Sequence, residues 1–251
     1  MAANWMEALS PAQAGSERIV LRMLGGPVVA AGSRLIEIPE VSKRVLTFVT
    51  LHHGPVERRS AAGALWPGSP ESRAAASLRS ALWRLRATGL PLLRVGRTSI
   101  AIDERVSVDV HLLDDWATRL ITGCPSPADL TVRPAMAEAF DLLPGWYDDW
   151  ALLERERLRQ RMLHAVEVLG RVLVRSGRCA DAVDAVMVAL AADPLRESTQ
   201  RVLLEAHVAG GNLAEARRCL EAYRRLVRRE LGVTPSKDLA VLVGLVPTAV
   251  G

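Results

Sequence analysis

The stretch from Arg58 to Arg86 leaves this chain few choices of fold. It reads ArgArgSerAlaAlaGlyAlaLeuTrpPro and then, past Gly68-Ser69-Pro70, GluSerArgAlaAlaAlaSerLeuArgSerAlaLeuTrpArgLeuArg. Proline cannot continue a helix but can open one, so the sequence predicts two short helices joined by the turn Trp66–Pro70. Stepping about 100° per residue from Leu78 sets Ala74, Ala75, Leu82 and Leu85 beside it as an apolar stripe. Arg73, Ser77, Ser80 and Arg84 fall roughly opposite, and Arg79, Trp83 and Arg86 fill the remaining flank. A helix anchored by one face and presenting guanidinium groups on the other has the layout of a helix-turn-helix. Its arginine forks suit guanine O6 and N7, or a phosphate. A solvated, arginine-rich surface helix would carry the same pattern, so the flanking segments must decide.

Those segments agree with a winged helix. Ile19–Leu24, Val28–Ala30 and Leu35–Ile38 are short β-prone runs divided by Gly25-Gly26-Pro27 and Ala31-Gly32-Ser33, which predicts a small antiparallel sheet. Lys43–His52 has apolar residues at helical spacing and stops at His53-Gly54-Pro55. Leu92–Val95 and Ser99–Ile102 flank Gly96-Arg97-Thr98 as a β-hairpin. Charge follows the same division. Residues 1–106 carry 14 Lys/Arg against 8 Asp/Glu, whereas residues 107–251 carry 18 against 20. A net +6 therefore sits with the helix-turn-helix, where phosphate binding needs it. Arginine abundance as such counts for less, because Lys43 and Lys237 are the only lysines and such a bias accompanies GC-rich coding.

The second half is predicted helical: Asp109–Thr122, Arg133–Leu143, and a long helix over Leu152–Ser176. From Leu169 a repeat of 34 residues pairs Leu169 with Leu203, Gly177 with Gly211 and Ala182 with Ala216. Gly170, Ala189 and Pro194 add small-residue and proline positions of a tetratricopeptide unit, in which paired helices approach closely. The second copy is degenerate, with Tyr223 and Arg228 at the alanine and proline positions.

The fold class expected is therefore mainly α with small β elements. Residues 1–17 form a flexible leader, 18–106 a winged helix-turn-helix DNA-binding domain, and 107–251 an all-α tetratricopeptide-like domain. Catalytic and cofactor signatures are missing: there is no GxxxxGK[ST], GxGxxG or GxSxG, and no histidine pair at metal spacing. No cofactor, metal or catalytic residue is expected. Cys124, Cys179 and Cys219 form no framework, which points to a reducing, cytoplasmic setting, and no apolar run is long enough to span a bilayer.

With both halves read, the chain resembles the Streptomyces antibiotic regulatory protein family, an OmpR-like winged helix followed by a bacterial transcriptional activation domain. The resemblance rests on LeuArgMetLeuGlyGlyProValVal at 21–29, AlaLeuTrpPro at 64–67 and LeuArgSerAlaLeuTrpArgLeuArg at 78–86. In the second half it rests on LeuLeuProGlyTrp at 142–146, AspProLeuArgGlu at 193–197 and TyrArgArgLeu…GluLeuGlyValThrProSer at 223–236. It implies a transcriptional activator that binds tandem direct repeats of double-stranded DNA as a head-to-tail pair. It also implies an antibiotic biosynthetic cluster as target, and RNA polymerase recruitment through sigma and alpha-subunit contacts. Carried across by position, Ser80 and Arg84 fall at base-reading positions, and Ser77, Trp83, Arg86 and Trp66 at backbone positions. Arg73 and Arg79, near the edges of the outer arc, are read as further phosphate contacts, and Arg97 is the candidate from the wing. Two features depart from the family pattern: Glu57 stands where Ser or Thr would cap the first helix of the motif, and the wing tip is Gly96-Arg97-Thr98-Ser99. The competing reading is a helical-repeat adaptor whose winged helix makes protein contacts.

Overall fold

The computed structural model describes residues 19–131, 137, 138 and 140–244. The leader at 1–17, the start of the helix expected over Arg133–Leu143, and the last residues of the chain lie outside the described residues. Two compact units divide the chain. One takes the described residues up to Asp114 together with Glu138–Leu158, and the other takes those from Asp115 to Ala137 and from Arg159 onward.

The first unit opens with β1 (Ile19–Arg22), β2 (Val28–Ala31) and β3 (Arg34–Ile36), an antiparallel meander. Its first turn needs Gly25 and Gly26, at φ of 71° and 118°, because a side chain there is strained. A strand absent from the sequence reading, β7 (Val106–Val108), pairs parallel with β1 and gives the order β3-β2-β1-β7. Then come α1 (Glu40–Leu51), α2 (Arg58–Leu65) and α3 (Glu71–Arg86), with a second sheet of β4 (Val56–Glu57), β5 (Leu93–Val95) and β6 (Ser99–Ile102) in the order β4-β6-β5. The three helices share one core with this sheet: Val45, Phe48 and Val49 of α1, Ala61 and Leu65 of α2, Leu78 and Leu82 of α3, and Ile100 of β6 are buried together.

The helix α4 (Asp109–Ile121) starts on a buried carboxylate. Asp109 accepts main-chain N–H groups from Met23 at 2.8 and 2.9 Å, Leu24 at 3.0 Å and Val110 at 2.7 Å, which ties the end of β7 to the turn after β1. Burial pushes its pKa up to about 6 against the pull of those amides. The segment before α5 (Asp149–Arg175) also belongs to this unit. Where the sequence predicted the end of a helix, Leu142 instead bridges Leu24, and Leu143 is fully buried at φ 49°. The Arg155 guanidinium holds this turn by donating to the carbonyls of Leu142 at 2.8 Å, Leu143 at 2.5 Å and Trp146 at 3.0 Å. Trp150 packs edge-on against Phe48, centroids 5.2 Å apart, so LeuLeuProGlyTrp leads into a side chain that completes the winged-helix core.

The second unit begins with the later turns of α4. Arg119 forms a two-pronged ion pair, at 2.8 and 2.9 Å, with Asp129 of the short 3-10 turn Pro127–Leu130. That guanidinium, helped by Ser126 and opposed by burial, holds the Asp129 carboxyl down at about 2. Beyond the later part of α5 follow α6 (Cys179–Ala192), α7 (Glu197–Ala209), α8 (Leu213–Leu231) and α9 (Lys237–Leu242). The 34-residue repeat has a structural counterpart. Gly177 and Gly211 both turn the chain at positive φ (73° and 76°), and Ala182 and Ala216 are both fully buried. Gly170 has the strictest requirement: a Cβ there would lie 2.7 Å from Val202 and 2.9 Å from Val186. Glu167 ties α5 to the start of α7, accepting from Arg196 (2.7 Å), Ser198 (2.7 Å) and Thr199 (2.9 Å). Burial alone would raise its pKa, but these three donors outweigh it and hold the carboxyl below its ordinary value.

Candidate nucleic-acid interface

Helix α3 buries Ala74, Leu78, Ala81, Leu82 and Leu85. The stripe matches the sequence expectation except that Ala81 is a full member and Ala75 is only half-buried. With that face locked into the core, the opposite arc is fixed in direction. Arg73, Arg79, Ser80, Arg84 and Arg86 are exposed, Ser77 is half-buried, and the Trp83 indole is 70% exposed. Arg84 and Arg86 lie in the last turn, where cations suit the helix dipole.

Many arginines elsewhere in the chain are held in salt bridges. Arg157, Arg178, Arg196, Arg218 and Arg224 each hold a carboxylate within a salt-bridge distance. Among the described residues, Arg73, Arg79, Arg84, Arg86 and Arg97 have no carboxylate partner. The one acidic residue of α3, Glu71, sits in its first turn and pairs with Arg59 of α2 at 2.7 Å. Uncompensated, directed guanidinium groups beside a bare indole give a surface of strong positive potential with an apolar element, which suits a polyanion with exposed bases.

The wing is anchored more firmly than its loop sequence suggests. Gly96 N–H donates to Ser99 O at 2.8 Å to close the β5–β6 turn. Arg58 then grips this turn twice, its main-chain N–H donating to Thr98 O at 2.8 Å and its guanidinium to Gly96 O at 3.1 Å. The weak cap expected at Glu57 is accounted for here. Its side chain makes no cap hydrogen bond, and the chain enters α2 directly from β4, where Glu57 pairs with Ser99. Sheet pairing fixes the helix start in place of a side-chain oxygen.

Trp66 has two sides. It packs half-buried against the core, and it lines an open cleft of about 850 Å³ between α2, the first half of α3 and the wing turn. Arg79 and Arg97 line the same cleft, and so do Arg58 and Arg59, which the sequence reading did not single out. Arg58 is placed by its bonds to the β5–β6 turn and Arg59 by the packing of α2 beside α3, and no local signal pointed to either. Ser80, Arg84 and Arg86 are not among its lining residues. Among the described residues, no cluster of His, Cys, Asp and Glu could hold a metal ion, and no helix is long and apolar enough to cross a membrane.

Residues 134–244 match the family of the bacterial transcriptional activator domain. The regulatory protein AfsR of Streptomyces griseus is 32% identical over 233 residues, 86% of this chain and 23% of that protein. AfsR of Streptomyces coelicolor is 30% identical over 188 residues, 71% of this chain and 19% of that protein. The chain thus spans less than a quarter of the length of these curated relatives. Among solved structures, Mycobacterium tuberculosis EmbR in complex with a low-affinity phosphopeptide aligns with a TM-score of 0.66 at 16% identity, covering 90% of this chain and 64% of that one. At that identity the likeness is one of fold.

Proposed function

The chain is a transcriptional regulator of the Streptomyces antibiotic regulatory protein type carrying a bacterial transcriptional activator domain, and we propose that it activates transcription by docking α3 in the major groove of double-stranded DNA. The observation that carries this reading is the arc of unpaired arginines opposite the buried stripe of α3. In it Ser80 and Arg84 read base edges, while Trp66, Arg73, Ser77, Arg79, Trp83 and Arg86 contact the sugar-phosphate backbone. Arg97 reaches the backbone from the wing. Two copies bind head to tail on direct repeats about one helical turn apart. The helical unit serves as a platform for partner proteins, RNA polymerase among them, since stacked helix pairs offer a concave surface to another chain. A secondary-metabolite gene cluster is the proposed target, and no catalytic role is proposed.

Salt titration of duplex binding tests the core of this reading. Affinity should fall steeply and linearly on a log–log scale as counterions compete. A flat dependence, or no binding at low salt, would return the winged helix to the adaptor reading. Transcription with purified polymerase on a template bearing the repeats tests activation.

A further inference from the structure

The cleft between α2, α3 and the wing turn concentrates positive charge beside the exposed arc of α3. Four arginines line it, Arg58, Arg59, Arg79 and Arg97, against two glutamates, Glu57 and Glu71. Each arginine has a distinct situation. Arg58 is committed to the wing turn through Gly96 O and Thr98 O. Arg79 and Arg97 have no carboxylate partner among the described residues, and they line the cleft from different elements, one from the helix and one from the hairpin. Arg59 pairs with Glu71, but both side chains are wide open to water, 76% and 70% exposed. An ion pair that exposed is worth little and exchanges partners readily. The remaining glutamate, Glu57, is turned toward its own helix start, where Ser60 Oγ lies 3.4 Å from its carboxylate.

We infer that this cleft seats one phosphodiester strand, and that Arg59 exchanges Glu71 for a phosphate when it does so. The inference rests on the DNA-binding reading of α3 and deepens it. Arg79, which projects into the cleft, lies at the flank of the arc whose centre carries Ser80. A strand bordering the groove that α3 enters therefore passes alongside α3 on this side. There it meets Arg79 and Arg59 from the helices and Arg97 from a wing that Arg58 holds at fixed spacing. Glu71 is the opposing element. With no phosphate present it neutralises Arg59, and on binding it becomes an unpaired carboxylate beside a polyanion. It thus lowers affinity for every duplex, and tight binding is left to sites that also engage Ser80 and Arg84.

The two residues of the pair have opposite expected effects, which gives the test its sign. The probe is an arbitrary GC-rich duplex of about 30 base pairs, since phosphate contacts are independent of sequence. The full chain is titrated from low to moderate salt, and circular dichroism and thermal melting confirm folding of each variant. Arg59→Ala should weaken binding and make the salt dependence shallower by about one unit of slope. Glu71→Gln should tighten binding about 2- to 5-fold at low salt, the scale of an exposed pair released. Arg225→Ala, on α8 and remote from the cleft in sequence, controls for loss of net charge and should leave the slope unchanged. A wild-type protein with a steep salt dependence that neither Arg59→Ala nor Glu71→Gln alters would overturn the cleft assignment and leave the α3 reading standing. A wild-type protein with no salt-dependent binding overturns both. If Arg225→Ala shifts the slope as much as Arg59→Ala does, the effect is one of net charge and the cleft assignment again fails.

Discussion

Arg84 and Arg79 differ by five positions on one helix, and that spacing divides them between two kinds of contact. Arg84 sits on the arc opposite Leu78, and Arg79 lines the cleft toward the wing. Arg84→Ala should therefore cost on the order of 1–3 kcal/mol on the preferred operator and relax preference at one base pair. An equal loss on all sequences would make Arg84 a phosphate contact. Buried carboxylates give predictions of a different kind. Asp129 is held at about 2, below its ordinary value, by Arg119. A depressed acid contributes stability that is present above its unfolded pKa and is lost as pH falls through the folded one, here between about pH 4 and pH 2. Asp109 has the opposite sign. Burial raises it to about 6, so its contribution is fully present below about pH 4 and is lost as pH rises through 6. Melting temperatures of Asp129→Asn and Asp109→Asn followed against pH should each flatten the curve in their own window and nowhere else. The arginine arc was legible from sequence because one helical period decides it. The roles of Arg58 and Asp109 were not, since each depends on a partner tens of residues away: Gly96 and Thr98 for one, Met23 and Leu24 for the other.

Elements marked by local apolar spacing and Gly or Pro stops were legible, and those defined by a distant partner were not. The predicted α1, α2 and α3 and the β5–β6 hairpin all stand within a few residues of their expected bounds, because apolar spacing and Gly or Pro stops act locally. β4 has two residues and β7 three, and β7 pairs in parallel with a strand more than 80 residues earlier. Nothing in Val106–Val108 announces that partner. LeuLeuProGlyTrp looked like a helix end, but tertiary contacts to Met23, Leu24 and Arg155 bend it into a turn with Leu143 at positive φ. Gly170 shows the converse, a local expectation given its cause by packing. In an isolated helix, Gly→Ala would gain about 1 kcal/mol. Here the added carbon meets Val202 and Val186 at under 3 Å, and both are fully buried with little room to yield. Gly170→Ala should therefore destabilise, by about 1–3 kcal/mol once the overpacking outweighs the propensity. A raised melting temperature would mean that α6 and α7 can draw back from α5 at low cost.

At the scale of the whole molecule, no single cut in sequence separates the two units. The compact unit that carries α3 takes residues from both sides of the 115–137 segment. A fragment ending at Val106 would keep all of the expected DNA contacts yet lose most of β7, which lies beside β1 at the edge of the sheet. It would also lose the Asp109 carboxylate that satisfies the N–H groups of Met23 and Leu24. With Leu143 and Trp150 gone, the Met23 carbonyl would lose the N–H of Leu143 and Phe48 the indole packed edge-on against it, and both residues are buried in the intact chain. Unsatisfied buried amides and exposed core are among the most destabilising changes a small domain can suffer. Such a fragment should give a poorly dispersed amide spectrum and bind duplex weakly or not at all. A fragment ending at Leu158 retains β7, Asp109, the turn at 142–146, Arg155 and Trp150. It should give the dispersed spectrum of a packed domain and keep the salt-dependent duplex binding of the full chain, while losing activation with purified polymerase because the repeat helices are gone. Equal dispersion and equal affinity for the two fragments would show that the segment after Val106 is dispensable to the winged helix.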